Sequence, residues 1–134
     1  MTKTYAARTD VLGEVLLDVR EALTAEGCGE KAVMQLTMAA EELFLNVASY
    51  GYPEGAGTVT VELRIREGRV TMTLRDSGPA FDPFCDAPPP DLSPDLRERR
   101  IGGLGVYLVR KTMDSVRYDR IDGENVVTLV RSAK

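Results

Sequence analysis

Near residue 58 the hydrophobic pattern changes from helical spacing to strict alternation, and this change limits the fold more than any other feature of the chain. From Thr9 or Asp10, either a good N-cap, Val11, Val15, Leu16, Val19 and Leu23 keep helical spacing until Gly27 and Gly29, which predicts a first helix. A second is predicted from near Glu30, with Val33, Leu36, Ala40, Leu43 and Val47 on one stripe until "YGYPEG" stops it. The alternating stretches "TVTVELRIRE" and "GRVTMTLRD" follow, joined at Glu67-Gly68. They predict an antiparallel hairpin with one buried face.

The remaining segments complete an order rather than a repeat. "KTYAA", residues 3–7, fits a short first strand. Residues 77–100 hold most of the prolines, including "APPP", and end in "RERR"; a loop this long in a compact domain suits a lid or binding segment. "GGLGVYLVRKTM" predicts a glycine-rich turn feeding a third helix, with Leu104, Leu108, Val109 and Met113 facing inward. "SVRYDRI" and "NVVTLVRS" predict a second hairpin around Asp122-Gly123. Helices first, then hairpins split by a loop and a helix, imply an α+β two-layer sandwich. Its sheet is expected to be mixed but mainly antiparallel, covered on one face by three helices.

Composition narrows the chemistry. At 134 residues the chain suits a single domain spanning 1–134, which buries roughly 70% of its unfolded surface. No apolar run reaches membrane-span length and "MTKTYAARTD" lacks a secretory segment, so the cytoplasm is the expected location, with no membrane partner. A net charge of -4 disfavours direct nucleic-acid binding. It leaves ATP open, because nucleotide sites depend on local backbone donors and metal ions. Cys28 and Cys85 sit in unlike segments and are expected to be unpaired thiols. The chain contains no histidine, which removes His-based acid/base catalysis and Ser-His-Asp triads.

Three stretches could carry chemistry. Glu42 and Asn46 lie four residues apart on the shoulder of the second helix's apolar stripe, whereas Glu41 points to the other side. Asp76 ends a strand and Gly78 follows two residues later, so a carboxylate stands where a ligand amine and a close backbone approach are both feasible. Gly102, Gly103 and Gly105 open a helix whose free N–H groups and positive dipole end suit a polyphosphate. Arg97, Arg99 and Arg100 precede it and could neutralise phosphate charge. Taken singly, each stretch has a plainer reading: glutamates that solubilise a helix, an Asp-Ser-Gly turn bonded to its own backbone, a tight loop-to-helix turn and a solvated basic segment.

Taken in order, "EELFLNVASYGYP", "DSGPAFDPF" and "GGLGVYLVRKTMDSVRYDR" resemble the GHKL (histidine kinase-like) ATPase superfamily over nearly the whole chain. More narrowly, they resemble its anti-sigma factor serine/threonine protein kinases. The resemblance implies a Bergerat-type ATP-binding fold, ATP and Mg²⁺ as cofactors, and Glu42 as general base toward a substrate hydroxyl or water. It further implies Asn46 as Mg²⁺ ligand, Asp76 as acceptor for the adenine amino group, and Gly78 as the point where the base approaches the backbone. Ala80, Gly102, Gly103, Leu104 and Gly105 complete the implied nucleotide-binding set, Gly103 and Gly105 cradling the phosphates. The implied partners are an anti-sigma factor antagonist as phosphoacceptor, a sigma factor as the alternative, and a second copy of the chain in a homodimer. The sequence departs from the family pattern at Tyr50, where histidine is common, at Ala80, the second glycine of D-x-G-x-G, and at Asn125, where threonine is common on the adenine side. Two rival readings remain at this level: a non-catalytic module that binds ATP and recognises a partner, and an interaction scaffold that binds no nucleotide.

Overall fold

Alternation along the strands and helical spacing along the helices direct two sets of apolar side chains at each other, and the structure is the layer pair that results. The computed structural model describes residues 1–52, 56–86 and 104–134, with side chains from residue 105 in the last stretch. Its elements run β1 (Thr2–Ala6), α1 (Leu12–Ala25), α2 (Glu30–Asn46), β2 (Thr58–Arg66), β3 (Arg69–Asp76), α3 (Leu104–Thr112), β4 (Ser115–Ile121) and β5 (Glu124–Ser132). The strands form one sheet in the order β1-β2-β3-β5-β4, and every pairing among them is antiparallel. Of the predicted proline-rich loop 77–100, residues 87–100, including Arg97, Arg99 and Arg100, lie outside the described residues, as do Gly102 and Gly103.

Both hairpins turn where the sequence places them. Glu67 and Gly68 have φ of 53° and 75°, Asp122 and Gly123 of 50° and 79°. Positive φ at both central residues is the type I′ geometry that matches strand twist, and it fixes each hairpin's register. That register sends Val59, Val61 and Leu63, Val70, Met72 and Leu74, and Val127 and Leu129 to the helix side.

The helices complete the core over that face. α1 buries Val15, Val19 and Leu23 and stops in a Schellman motif: Gly27, in the left-handed region, donates to Thr24 and Cys28 donates to Leu23. Its start differs from expectation. Neither Thr9 nor Asp10 caps it, because a 3₁₀ turn at Thr9–Val11 precedes the helix and Arg8 pairs with the Asp10 carboxylate. α2 buries a broader band than its predicted stripe, adding Ala32, Ala39 and Phe44, because it packs against the sheet, α1 and α3 at once. On α3 the inward row is Val106, Val109 and Met113, while Leu108 is 41% exposed. The expectation for Leu108 therefore fails: it lies one residue, about 100°, from the row that faces the core.

Phe44 is fully buried at the centre of the core. Phe44→Ala is expected to cost about 3–5 kcal/mol, measured as a fall in urea midpoint with an unchanged m-value. Leu17→Ala, on the exposed side of α1, is expected to stay within about 0.5 kcal/mol.

Candidate functional site

The end of β3 brings a charge into the protein. Asp76 closes the strand in the helix-facing register and is 7% exposed, so its carboxylate must be compensated from within. Compensation comes from two donors to Oδ1: the Gly78 N–H at 3.0 Å and the Asn125 side-chain amide at 3.0 Å. The first is the Asx-type turn open to any Asp-Ser-Gly, so the plain reading of this stretch is part of the geometry. The second comes from a neighbouring strand and indicates more than a turn.

Gly78 is constrained by backbone rather than by side chains. A Cβ at this position would stand 2.1 Å from the Gly51 carbonyl oxygen, a distance no side chain can occupy. Gly51 ends the π-helical turn Val47–Gly51 that extends α2, so the loop after β3 and the end of α2 meet backbone to backbone. Tyr52 braces the same junction: its hydroxyl donates to the Thr58 carbonyl at 2.7 Å and accepts from the Ser77 N–H at 2.8 Å. Tyr50, in contrast, is 72% exposed. Ala80 is exposed on the loop beyond Gly78.

These elements enclose a small cavity of about 20 Å³ lined by Asn46, Val47, Gly51, Leu74, Asp76, Phe81, Pro83, Asn125 and other residues. The Asn46 amide nitrogen is buried there without a hydrogen-bond partner among the described residues. A buried orphan donor is rare, and one aimed at a pocket with a carboxylate opposite suits a polar ligand. As it stands the cavity is smaller than a nucleobase.

Glu42 takes a different place. It is half-buried while its neighbour Glu41 is exposed. It lines a separate groove of about 330 Å³ between α2 and α3, with Met34, Met38, Leu45, Gly105 and Leu108 among its walls. A Cβ on Gly105 would fall 2.1 Å from Glu42 Oε2, so glycine in the first turn of α3 leaves room for the carboxylate. Burial pushes the Glu42 carboxyl above the ordinary glutamate range, and the charge of Glu41 adds to the effect. Glu42 and Asn46, expected to share one site, thus line different cavities from successive turns of α2. Leu104 begins α3.

Sequence reasoning places Asn125 on the adenine side but misses its bond to Asp76, together with Tyr118, Arg120 and Tyr52. Asn125 carries a usable signal: alternation sets it in the inward row with Val127 and Leu129, where a polar residue needs partners. Among the described residues no group of three metal-binding side chains converges, and Cys28 and Cys85 are free.

An antiparallel sheet with its helices on one face, and a buried strand-end carboxylate opposite a helix-borne amide, define the class of histidine kinase-like ATPase domains. The chain belongs to that family: residues 5–131 match its pattern, described as the histidine kinase-like ATPase domain. Among individual proteins, it is 34% identical over 95 residues to the serine/threonine-protein kinase BtrW of Bordetella bronchiseptica, covering 70% of this chain and 66% of that one. It is 31% identical to the serine-protein kinase RsbW of Listeria monocytogenes, with 75% and 67% covered, and 27% identical to that of Bacillus subtilis, with 90% and 78% covered. The chain therefore spans about two thirds of the length of BtrW. The crystal structure of the RsbU and RsbW domains of Rv1364c from Mycobacterium tuberculosis superposes with a TM-score of 0.65 at 16% identity, over 98% of this chain and 32% of that one, which supports the fold.

Two tests follow from this geometry. Gly78→Ala drives a methyl group into the Gly51 carbonyl and is expected to lower stability by at least about 2 kcal/mol, whereas Gly13→Ala, with open space around it, is expected not to destabilise. Glu42 holds its proton more tightly in the folded chain than in the unfolded one. Stability therefore falls as pH rises from the ordinary glutamate pKa through the raised one, and the penalty persists above it. Glu42→Gln is expected to raise Tm by about 2 °C at pH 7, a small gain because solvent screens a half-exposed group. The gain is expected to vanish in melts run below the ordinary glutamate pKa.

Proposed function

We propose that this protein is an ATP- and Mg²⁺-dependent serine/threonine protein kinase of the anti-sigma type, which phosphorylates a small antagonist protein and holds a sigma factor as its alternative partner. A cytoplasmic setting and a homodimer belong to the same proposal and rest on the family resemblance. Among the described residues no helix is long and apolar enough to cross a membrane. The observation that carries the reading is the orphaned, buried Asn46 amide in one cavity with Asp76, one turn along α2 from the half-buried Glu42. The serine kinase names of BtrW and RsbW point the same way.

Each residue has a separable task. Asp76 accepts from the exocyclic amine of the base, and the apolar walls of Leu43, Val47, Leu74 and Val127 take its faces. The Asn46 side-chain oxygen would hold Mg²⁺, an ion that keeps several waters and phosphate oxygens as its other ligands. When bound, Mg²⁺ neutralises phosphate charge. Glu42 takes the proton of the acceptor serine as the hydroxyl oxygen bonds to the γ-phosphorus; the bond to the bridging oxygen breaks and ADP leaves. A raised carboxyl pKa makes Glu42 a stronger base than a fully solvated glutamate.

With labelled ATP and the cognate antagonist, Glu42→Gln is expected to cut labelling about 10²–10⁴-fold while ATP affinity stays near wild type. Labelling of the antagonist by wild type alone supports the kinase. ATP binding without labelling of any partner serine shows a non-catalytic recognition module instead. Thermal shift supplies the other arm: at nucleotide about 100-fold above Kd, wild type is expected to gain about 2.7 kcal/mol of stability. Asp76→Asn is expected to lose most of that gain, and equal gains in both proteins would remove Asp76 from the site.

A further inference from the structure

Asn125 makes contacts that neither the family match nor the proposed reaction requires. The residue is 3% exposed, and its amide uses all its hydrogen-bonding capacity on the loop after β3 and on strands β3 and β4. The amino group donates to Asp76 Oδ1 at 3.0 Å and to the Pro79 carbonyl at 2.9 Å. The carbonyl oxygen accepts from the Phe81 N–H at 3.1 Å and from the Tyr118 hydroxyl. Arg120, the register partner of Asn125 on β4, donates to the Gly78 carbonyl at 2.7 Å. Register places Asp76, Asn125 and Arg120 in one row across β3, β5 and β4, so the second hairpin clamps the loop that begins at Asp76.

The clamp divides the carboxylate. Both described donors to Asp76 reach Oδ1, and none among the described residues reaches Oδ2. With one oxygen held by the protein, the other is left as an acceptor whose direction is fixed before any ligand arrives. We propose that Asn125 is a positioning residue for base selection: by holding Asp76 through Oδ1 it directs Oδ2 at an exocyclic amine, so that the pocket prefers a 6-aminopurine to a purine without that group. This rests on the ATP reading above and adds a determinant to it. An amide in this place can bind carboxylate and loop together, because it has two donor hydrogens and a two-fold acceptor in one rigid plane. A hydroxyl side chain has one donor hydrogen, and cannot serve both Asp76 and Pro79.

The test compares ATP with purine riboside triphosphate, which is ATP lacking the 6-amino group, by equilibrium binding to the full chain with Mg²⁺. Wild type is expected to prefer ATP by about tenfold or more. Asn125→Leu keeps the bulk and removes every hydrogen bond of the amide. It is expected to weaken ATP by about tenfold and to leave the analogue nearly unchanged, so that the preference collapses. Tyr118→Phe removes only the hydroxyl that anchors the Asn125 oxygen and is expected to reduce the preference by about threefold; its ratio decides the matter should Asn125→Leu fail to fold. Equal weakening of both nucleotides would assign Asn125 a purely structural role and overturn the proposal, and so would an undiminished preference in both variants. Absence of binding of either triphosphate to wild type overturns the ATP reading and the proposal together. Wild-type preference that survives in the variants overturns the proposal alone.

Discussion

A carboxylate at the inward-facing end of a strand is costly unless the surrounding chain is arranged for it, and much of the geometry around Asp76 follows from that cost. The loop after β3 bends at once so that the Gly78 N–H returns to Oδ1. The bend brings Gly78 against the Gly51 carbonyl, at the end of the π-helical turn that extends α2. The remaining need falls on β5, which supplies an amide where the alternating pattern otherwise calls for an apolar side chain. A binding pocket thus follows from the need to satisfy one buried charge, with the unsatisfied Asn46 amide facing it from the helix layer.

The two cavities along α2 divide the proposed reaction between its reactants. The smaller contains the groups suited to a base and an ion, and the larger contains the carboxylate suited to deprotonating an alcohol. One helix carries both because Glu42 and Asn46 are a single turn apart, so a small rotation of α2 would misplace the two together. Its packing opposes such rotation: Phe44 and Leu43 lie between them in sequence and are buried in the core. Exposed Met34, Met38 and Leu108 extend the second cavity as an apolar wall.

Much of this architecture is legible in the amino-acid sequence. Periodicity locates all three helices and both hairpins, because each has a clean 3.6 or 2.0 repeat bounded by glycine. Helical geometry ranks Glu42 as the more buried of the two glutamates, but it does not show that both line the groove between α2 and α3. Periodicity fails where neighbours decide: Leu108 is helical and apolar yet exposed, while the buried residues described there are Val106, Val109 and, just past the helix end, Met113. The caps at Thr9 and Asp10 fail because an ion pair with Arg8 and a 3₁₀ turn compete for the same residues. Close backbone contact is also invisible, as nothing in the sequence says that Gly78 lies against the Gly51 carbonyl. The partnership of Asp76 and Asn125, 49 residues apart, depends on the strand order β3-β5-β4, which periodicity does not specify.

The two-residue turn at Asp122-Gly123 acquires a different meaning in this light. Side chains on a strand alternate faces, so adding or removing one residue in the turn slips β4 against β5 and takes Tyr118 and Arg120 out of register with Asn125 and the Gly78 carbonyl. The length of that turn is therefore inherited as part of the pocket although no atom of it lies there. Its chemistry is free to drift within the few residues that tolerate positive φ, while its residue count is not.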